Sequence, residues 1–381
     1  MTVLRGRLVT PTYDGPGEVL VEDDRIAAVT HLDPGDGSGT GASDDPVILP
    51  GLVDVHCHGG GGAAFTSGSV EEARTAATHH LRHGTTTLLG SLVTDAPDRM
   101  LHGVALLADL VDEGLLAGIH LEGPFLSPER CGAQDPRHLL APDATLAARL
   151  LEAGRGHVRV VTIAAELPGA AELAAQVAAA GAVAALGHTA APFPAARELL
   201  RSPATALVTH LFNGMPGLHH RDPGPVGAAL AAARAGDAVV ELIADGVHLS
   251  DDTVTTVFAL LGADAIVLVT DAMAAAGMPD GRYRLGPQEV VVADGVATLA
   301  RNDSLAGGTT RLVDVVGRLA RLGLPASEVV RAATDSPARA VGLEAPSLRV
   351  GDRADLVVAD RDLRPHQVMK AGRWVADGPI D

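Results

Sequence analysis

With 381 residues, 47% of them apolar, the chain is long enough for one barrel of about 250 residues and a small accessory domain. Its formal charge of −18 excludes general nucleic-acid binding, which draws on surplus positive charge, although a local Arg or His can still hold one phosphorylated ligand. Lys370 is the only lysine, so Schiff-base chemistry inside a barrel is excluded as well.

The chain opens with three strand-like segments, Val3 to Thr10, Glu18 to Glu22 and Arg25 to His31, followed by a Gly/Ser/Asp-rich loop from Asp33 to Asp45. At the other end, Asp355 to Ala359 and Gln367 to Ala376 have the same character. The two termini, 1–46 and 347–381, are expected to close one small β-sandwich domain. No apolar stretch reaches the roughly 18 uncharged residues of a membrane span. Met1 to Asp14 carries no long hydrophobic region or small-residue cleavage site, and two cysteines, Cys57 and Cys131, are too few for a disulfide framework. A cytoplasmic protein with no membrane partner is expected.

Between the termini, eight short apolar runs alternate with helix-like segments: Val47 to Val55, Thr85 to Leu92, Leu115 to Leu121, Val158 to Ala165, Ala182 to Leu186, Ala206 to Thr209, Val239 to Ala244 and Ala265 to Thr270. Alternation of this kind marks parallel βα units, and eight of them predict an α/β fold, a (β/α)8 TIM barrel over 47–346. Ser69 with Glu72 forms a candidate capping box, and Gly84, Gly114, Gly154, Gly181 and Gly262 stand where helices should end. Arg282 to Ala300 reads as a β-insertion after the eighth strand.

The runs stop at polar residues that are mostly metal ligands: His56, His58, Glu122, His188, His210, His248 and Asp271. In a TIM barrel the carboxyl ends of the strands carry the active site. His56 and His58, two apart at a strand end, point to one side and can reach one metal. An isolated His-x-His is weak evidence, a single Glu at a strand end is ordinarily a solvated residue, and any one histidine could be a satisfied core residue. Four histidines and Glu122 at one rim are hard to explain that way. One Glu and two His form a common catalytic metal set with an open position for water. Asp271 is the candidate general acid and base, against the reading of a helix cap. His248 could polarise a carbonyl, with Asp245 shaping its loop. The loop Asn213 to Gly224 offers amide, imidazole and guanidinium donors suited to a sugar phosphate, against the reading of Arg221 as a surface charge. His79, His80, His83, His102 and His157 sit in helix or loop stretches and are expected to be solvated.

These residues together resemble a known family. His56-Cys57-His58, His120-Leu121-Glu122-Gly123-Pro124, Gly187-His188, Thr209-His210-Leu211-Phe212-Asn213, Asp245-Gly246-Val247-His248, Thr270-Asp271-Ala272 and the Gly-x-x-Ala-Asp segment within Leu348 to Asp360 are similar to the N-acetylglucosamine-6-phosphate deacetylases of the amidohydrolase superfamily. The resemblance implies a principal metal on Glu122, His188 and His210, and a second available to His56, His58 and Asp271. It implies Asp271 as acid/base with His248 beside it. Asn213, Gly214 and His248 would contact the sugar, Ala133, Gln134, His220, Leu305, Ala306 and Gly307 would belong to the same substrate site, and Arg221 would meet the phosphate, either within its own subunit or across the interface of a homodimer. Gln134 stands where some members carry histidine, and some members lack the His-x-His and hold one metal. Cys131, nine residues after Glu122, reads as packing or as a redox-sensitive thiol.

The reaction so implied is hydrolysis of the N-acetyl group of N-acetylglucosamine 6-phosphate, with one or two divalent metals per subunit, zinc first, then iron, manganese or cobalt. Two alternatives stay open: an amidohydrolase acting on a cyclic amide or another acylated amino sugar, and a metal-free binding or assembly protein on the same fold.

Overall fold

Every one of the eight apolar runs overlaps a strand of a single sheet, whose neighbours pair in parallel and in chain order. The computed structural model describes residues 1–32 and 45–375, so nearly all of the expected loop Asp33 to Asp45, and Ala376, lie outside the described residues. The barrel strands are Leu52–Asp54, Thr85–Val93, Gly118–Glu122, Val158–Ile163, Val183–Leu186, Thr205–Val208, Val239–Leu242 and Ile266–Leu268. The eighth meets the first at the mouth. There Asp271 donates its backbone N–H to His56 O at 2.9 Å, and His58 donates to Ala272 O at 2.7 Å. Just below, Asp54 Oδ2 accepts from the Thr270 hydroxyl at 2.6 Å. The result is a (β/α)8 barrel.

Strand periodicity builds the lumen in layers. Leu89, Val160, Leu207 and Ile243 lie in one buried cluster with Val53, Val55, Val267 and Val269. Each of these fully buried aliphatic side chains contributes about 1.5–3 kcal/mol. Residues two apart share a face, so Ser91, Thr162, Thr209 and Glu241 point inward one layer away from that floor. Ser91, Thr162 and Thr209 form a buried hydrogen-bonded chain through His120: Ser91 Oγ to His120 Nδ1 3.0 Å, His120 Nε2 to Thr162 Oγ1 2.9 Å, Thr162 Oγ1 to Thr209 Oγ1 2.9 Å. In the second, fourth and sixth strands the side chains thus change from apolar to polar toward the carboxyl ends, whereas in the seventh Glu241 precedes Ile243.

The first run divides in two. Val47–Pro50 pairs with Thr2–Thr10 and Leu356–Ala359, in a seven-stranded sheet built from both termini, and only Leu52–Asp54 enters the barrel. Gly51 makes the change of sheet possible, because a Cβ there would stand 2.1 Å from Thr86 Oγ1. The terminal sheet covers its own buried cluster, which includes Leu8, Val19, Ile26, Ile48, Leu356 and Met369, and forms the small β-domain. The expected strand from Gln367 is interrupted by a turn at Ala371 and Gly372, leaving Pro365–Lys370 and Arg373–Trp374 as a hairpin. The insertion is a three-stranded antiparallel meander, Gly281–Leu285, Gln288–Ala293 and Val296–Leu299.

Ser69 caps the first helix, Val70–Arg82, by accepting the Glu72 N–H at 3.3 Å. The return half of the capping box is replaced by Ser67, whose hydroxyl accepts the Ser69 N–H at 3.1 Å. The same helix corrects an expectation. His80 and His83 are buried and His79 is half-buried, because Ala73, Ala76, Ala77 and His80 form the face laid on the barrel. His80 Nε2 lies 2.9 Å from Gly59 O, to which it donates, and 3.2 Å from Cys57 Sγ. His102 is exposed and His157 half-buried. Among the described residues, no helix is long and apolar enough to cross a membrane.

Candidate metal centre and substrate cavity

Two ligand sets converge at the barrel mouth. In the first, Glu122 Oε1 lies 2.9 Å from both His188 Nε2 and His210 Nε2, and the two nitrogens are 3.1 Å apart. In the second, His56 Nε2 and His58 Nε2 are 3.2 Å apart and lie 3.3 and 3.2 Å from Asp271 Oδ1. Within each set the ligand atoms lie inside 4.8 Å of one another. Glu122 joins them, since its other oxygen, Oε2, is 3.1 Å from His58 Nε2.

The ends of the strands aim these side chains through unusual backbone. His188, His210 and Asp271 stand two or three residues beyond the ends of their strands and have φ of 43°, 27° and 46°. A positive φ strains a non-glycine residue and persists only where the surroundings impose it. Packing holds the His188 ring as well: at Gly214 a Cβ would stand 2.8 Å from His188 Nδ1, which only glycine avoids. The outer ring nitrogens are fixed by backbone carbonyls, His188 Nδ1 at 2.8 Å from Arg130 O and His58 Nδ1 at 3.2 Å from Ser91 O. Carbonyl oxygens only accept, so both rings carry a proton on Nδ1, which leaves Nε2, facing the centre, as the atom that would bind a cation. Buried nitrogen and carboxylate lone pairs crowded at about 3 Å suit a divalent cation, and this donor set fits zinc, iron, manganese or cobalt.

Charge at the centre is tightly coupled. Burial favours protonation of Glu122, but the neighbouring His188 and His210 outweigh it and hold this carboxyl well below the usual range. Burial likewise opposes ionisation of Asp271, yet His56 and His58 bring it down to about 2. Asp271 is therefore a carboxylate, able to accept a proton. His248 is bound by Asp245: Nδ1 lies 2.8 Å from Asp245 Oδ2, and Asp245 Oδ1 accepts the N–H groups of Val247 and His248 at 2.8 Å.

A cavity of about 330 Å³ opens over the ligands. Its walls include Ala133, Gln134, Asn213, Gly214, His248, Leu305 and Gly307, together with Gly132, Leu285 and Ser304. Ala306 is fully buried beneath the wall, its N–H donating to Ala297 O. His220 and Arg221 lie exposed outside the cavity and contact each other at 2.8 Å. Cys131 is half-buried and does not belong to either ligand set.

Residues 47–375 match the model of the amidohydrolase family. The chain belongs to this family. It is 31% identical to the N-acetylglucosamine-6-phosphate deacetylase of Lysinibacillus sphaericus, over 93% of this chain and 92% of that protein. It is 34% identical to the N-acetylgalactosamine-6-phosphate deacetylase of Escherichia coli O157:H7, over 87% and 88%. A mutant N-acetyl-D-glucosamine-6-phosphate deacetylase from Mycobacterium smegmatis, solved with N-acetyl-D-glucosamine-6-phosphate, is 42% identical and superposes with a TM-score of 0.92 over 98% of both chains.

Besides Gly132, which adjoins the expected Ala133 and Gln134, the sequence reading of this amidohydrolase passed over three contributors to the site. Leu285 and Ser304 come from the insertion and the loop after it, where no polar strand end marks them. The third, Glu241, did carry a signal: an acid in the middle of an apolar strand run.

Proposed function

We propose that this amidohydrolase hydrolyses the N-acetyl amide of N-acetylglucosamine 6-phosphate to glucosamine 6-phosphate and acetate, in amino-sugar catabolism, as a cytoplasmic homodimer. The observation that carries this reading is Asp271, an ionised carboxylate on the wall of a sugar-sized cavity, within 3.3 Å of two candidate metal ligands. The named relatives support the phosphorylated sugar as substrate.

Glu122, His188 and His210 would hold one divalent cation, and His56, His58 and Asp271 a second. A bound cation lowers the pKa of water and polarises the amide carbonyl. Asp271 takes the proton from the attacking water and later donates it to the departing amine. His248, anchored through Nδ1 by Asp245, offers Nε2 to the carbonyl oxygen as charge develops. Ala133, Gln134, Asn213, Gly214, Leu305 and Gly307 bound the sugar, with Ala306 packing behind them. His220 and Arg221, outside the cavity of their own subunit, reach the phosphate of a neighbouring one.

The E. coli relative favours a second reading, in which the substrate is the 4-epimer, N-acetylgalactosamine 6-phosphate. Acetate release from the two phosphates and from unphosphorylated N-acetylglucosamine, with metal-replete and chelator-treated protein, decides between them. Rapid metal-dependent release from N-acetylglucosamine 6-phosphate is expected. Preference for the epimer would move the assignment to it, and no release from any of the three would overturn the deacetylase reading and leave a cyclic amide to be tried. A cyclic amidase bridging its metals by a carboxylated lysine is disfavoured, because Lys370 lies outside the barrel.

A further inference from the structure

Glu241 is fully buried, in the seventh barrel strand, on the inward face it shares with Val239 and Ile243. Its Oε2 accepts the backbone N–H of His210 at 3.0 Å and lies 2.9 Å from His56 Nδ1. Its Oε1 has no hydrogen-bond partner among the described residues. The carboxylate is thus stationed against a single imidazole, and half of its hydrogen-bonding capacity goes unused. A buried acceptor left in this way costs stability, so packing alone does not account for the residue.

We infer that Glu241 is a positioning residue: its contact with His56 Nδ1 fixes the tautomer in which Nε2 can bind a cation, and thereby governs occupancy of the position formed by His56, His58 and Asp271. As an acceptor already engaged by a backbone N–H, Oε2 meets His56 through an Nδ1–H. The lone pair then sits on Nε2, which faces His58 Nε2 at 3.2 Å, Asp271 Oδ1 at 3.3 Å and Glu122 Oε1 at 3.7 Å. The other three histidine ligands or candidates face backbone carbonyls or, at His210, have no partner on Nδ1. His56 alone is backed by a carboxylate. A carboxylate behind a ligating histidine raises the ring's basicity as well as fixing its orientation, and here that effect falls on one of the two cation positions only.

The inference rests on the proposal that two cations bind. Glu241→Gln suits its test, because it keeps the shape of the side chain but no longer dictates the tautomer: an amide satisfies His56 either way, its oxygen accepting from Nδ1–H or its NH2 group donating to a bare Nδ1, whereas a carboxylate can only accept. Metal content of parent and variant, measured across a graded series of competing chelator, gives the affinity of each zinc equivalent, and His58→Asn identifies which equivalent belongs to the second position. The expected result for E241Q is a roughly tenfold to hundredfold loss of affinity at that position, with the equivalent on Glu122, His188 and His210 unchanged. Parent affinities at both positions in E241Q, or equal losses at both, would overturn the inference while leaving the two-cation proposal intact. A parent that takes only one zinc would overturn both together.

Discussion

Gln134 grips the bridging carboxylate Glu122 and the Thr94 backbone at once: its Nε2 donates to Glu122 Oε2 across 2.6 Å, and its Oε1 accepts the Thr94 N–H at 2.8 Å. A residue of the cavity wall therefore also sets the orientation of a candidate metal ligand. Gln134→Leu leaves a buried N–H unpaired, at a cost of about 1–3 kcal/mol, and frees Glu122 to turn. Cation affinity should fall by roughly tenfold or more, measured by chelator competition, together with kcat/KM. Unchanged affinity would show that the contact is idle.

Asp271→Asn keeps the shape of the site but removes the proton acceptor. Turnover should drop by about 10²–10⁴-fold, while the cation held by Glu122, His188 and His210 stays bound in a metal assay. Near-normal turnover would remove Asp271 from its role.

Arg221 lies outside the cavity of its own subunit, so its partner in catalysis should be a second chain. Arg221→Ala is expected to raise KM for the phosphorylated sugar and to leave the unphosphorylated one unaffected. Co-expression of Arg221→Ala with Asp271→Asn chains should recover turnover at the parent's low KM, which neither variant shows alone, because one site of the mixed dimer would hold both an intact Asp271 and its neighbour's intact Arg221. Failure to recover would place Arg221 in its own subunit's site or outside catalysis.

The buried face of the first helix should make the fold acid-sensitive. Burial pushes the His80 imidazole down to about 4 from 6.5, and lowers His79 and His83 as well. Between those pH values the unfolded chain binds a proton that the folded chain refuses, so stability is lost as pH falls from about 6.5 toward 4, by roughly 3 kcal/mol from His80. Asp54, raised by burial to about 7, acts in the opposite direction over its own window. The test is therefore a difference: the stability gap between parent and His80→Gln in urea unfolding should narrow as pH is lowered from 7 to 4.5. A constant gap would mean that His80 does not control this slope.

The convergence of the candidate ligands was legible because strand chemistry and barrel topology act together. Apolar runs ending in His56, Glu122, His188, His210 and Asp271 need only a parallel barrel to bring those residues to one rim. The histidines of the first helix were misread for want of the same information. Helix periodicity leaves open which of His79, His80 and His83 face inward, and the packing of Ala73, Ala76 and Ala77 against the sheet turned His80 into the interior. Val47–Pro50 was equally ambiguous, since an apolar strand run fits either sheet until Gly51 allows the chain to cross between them.

The sequence by itself determined the barrel, the accessory β-domain and the inventory of candidate ligands, because these follow from periodicity and from residue chemistry, which are local. Tertiary structure alone decided how Glu122 is shared between two ligand sets, that Gln134 and Glu241 stand behind them, and that His220 and Arg221 lie outside the cavity. Those relations depend on contacts between residues up to 185 positions apart, as between His56 and Glu241. No local pattern encodes such a distance; it is set only when the eight strands close and their inward faces meet.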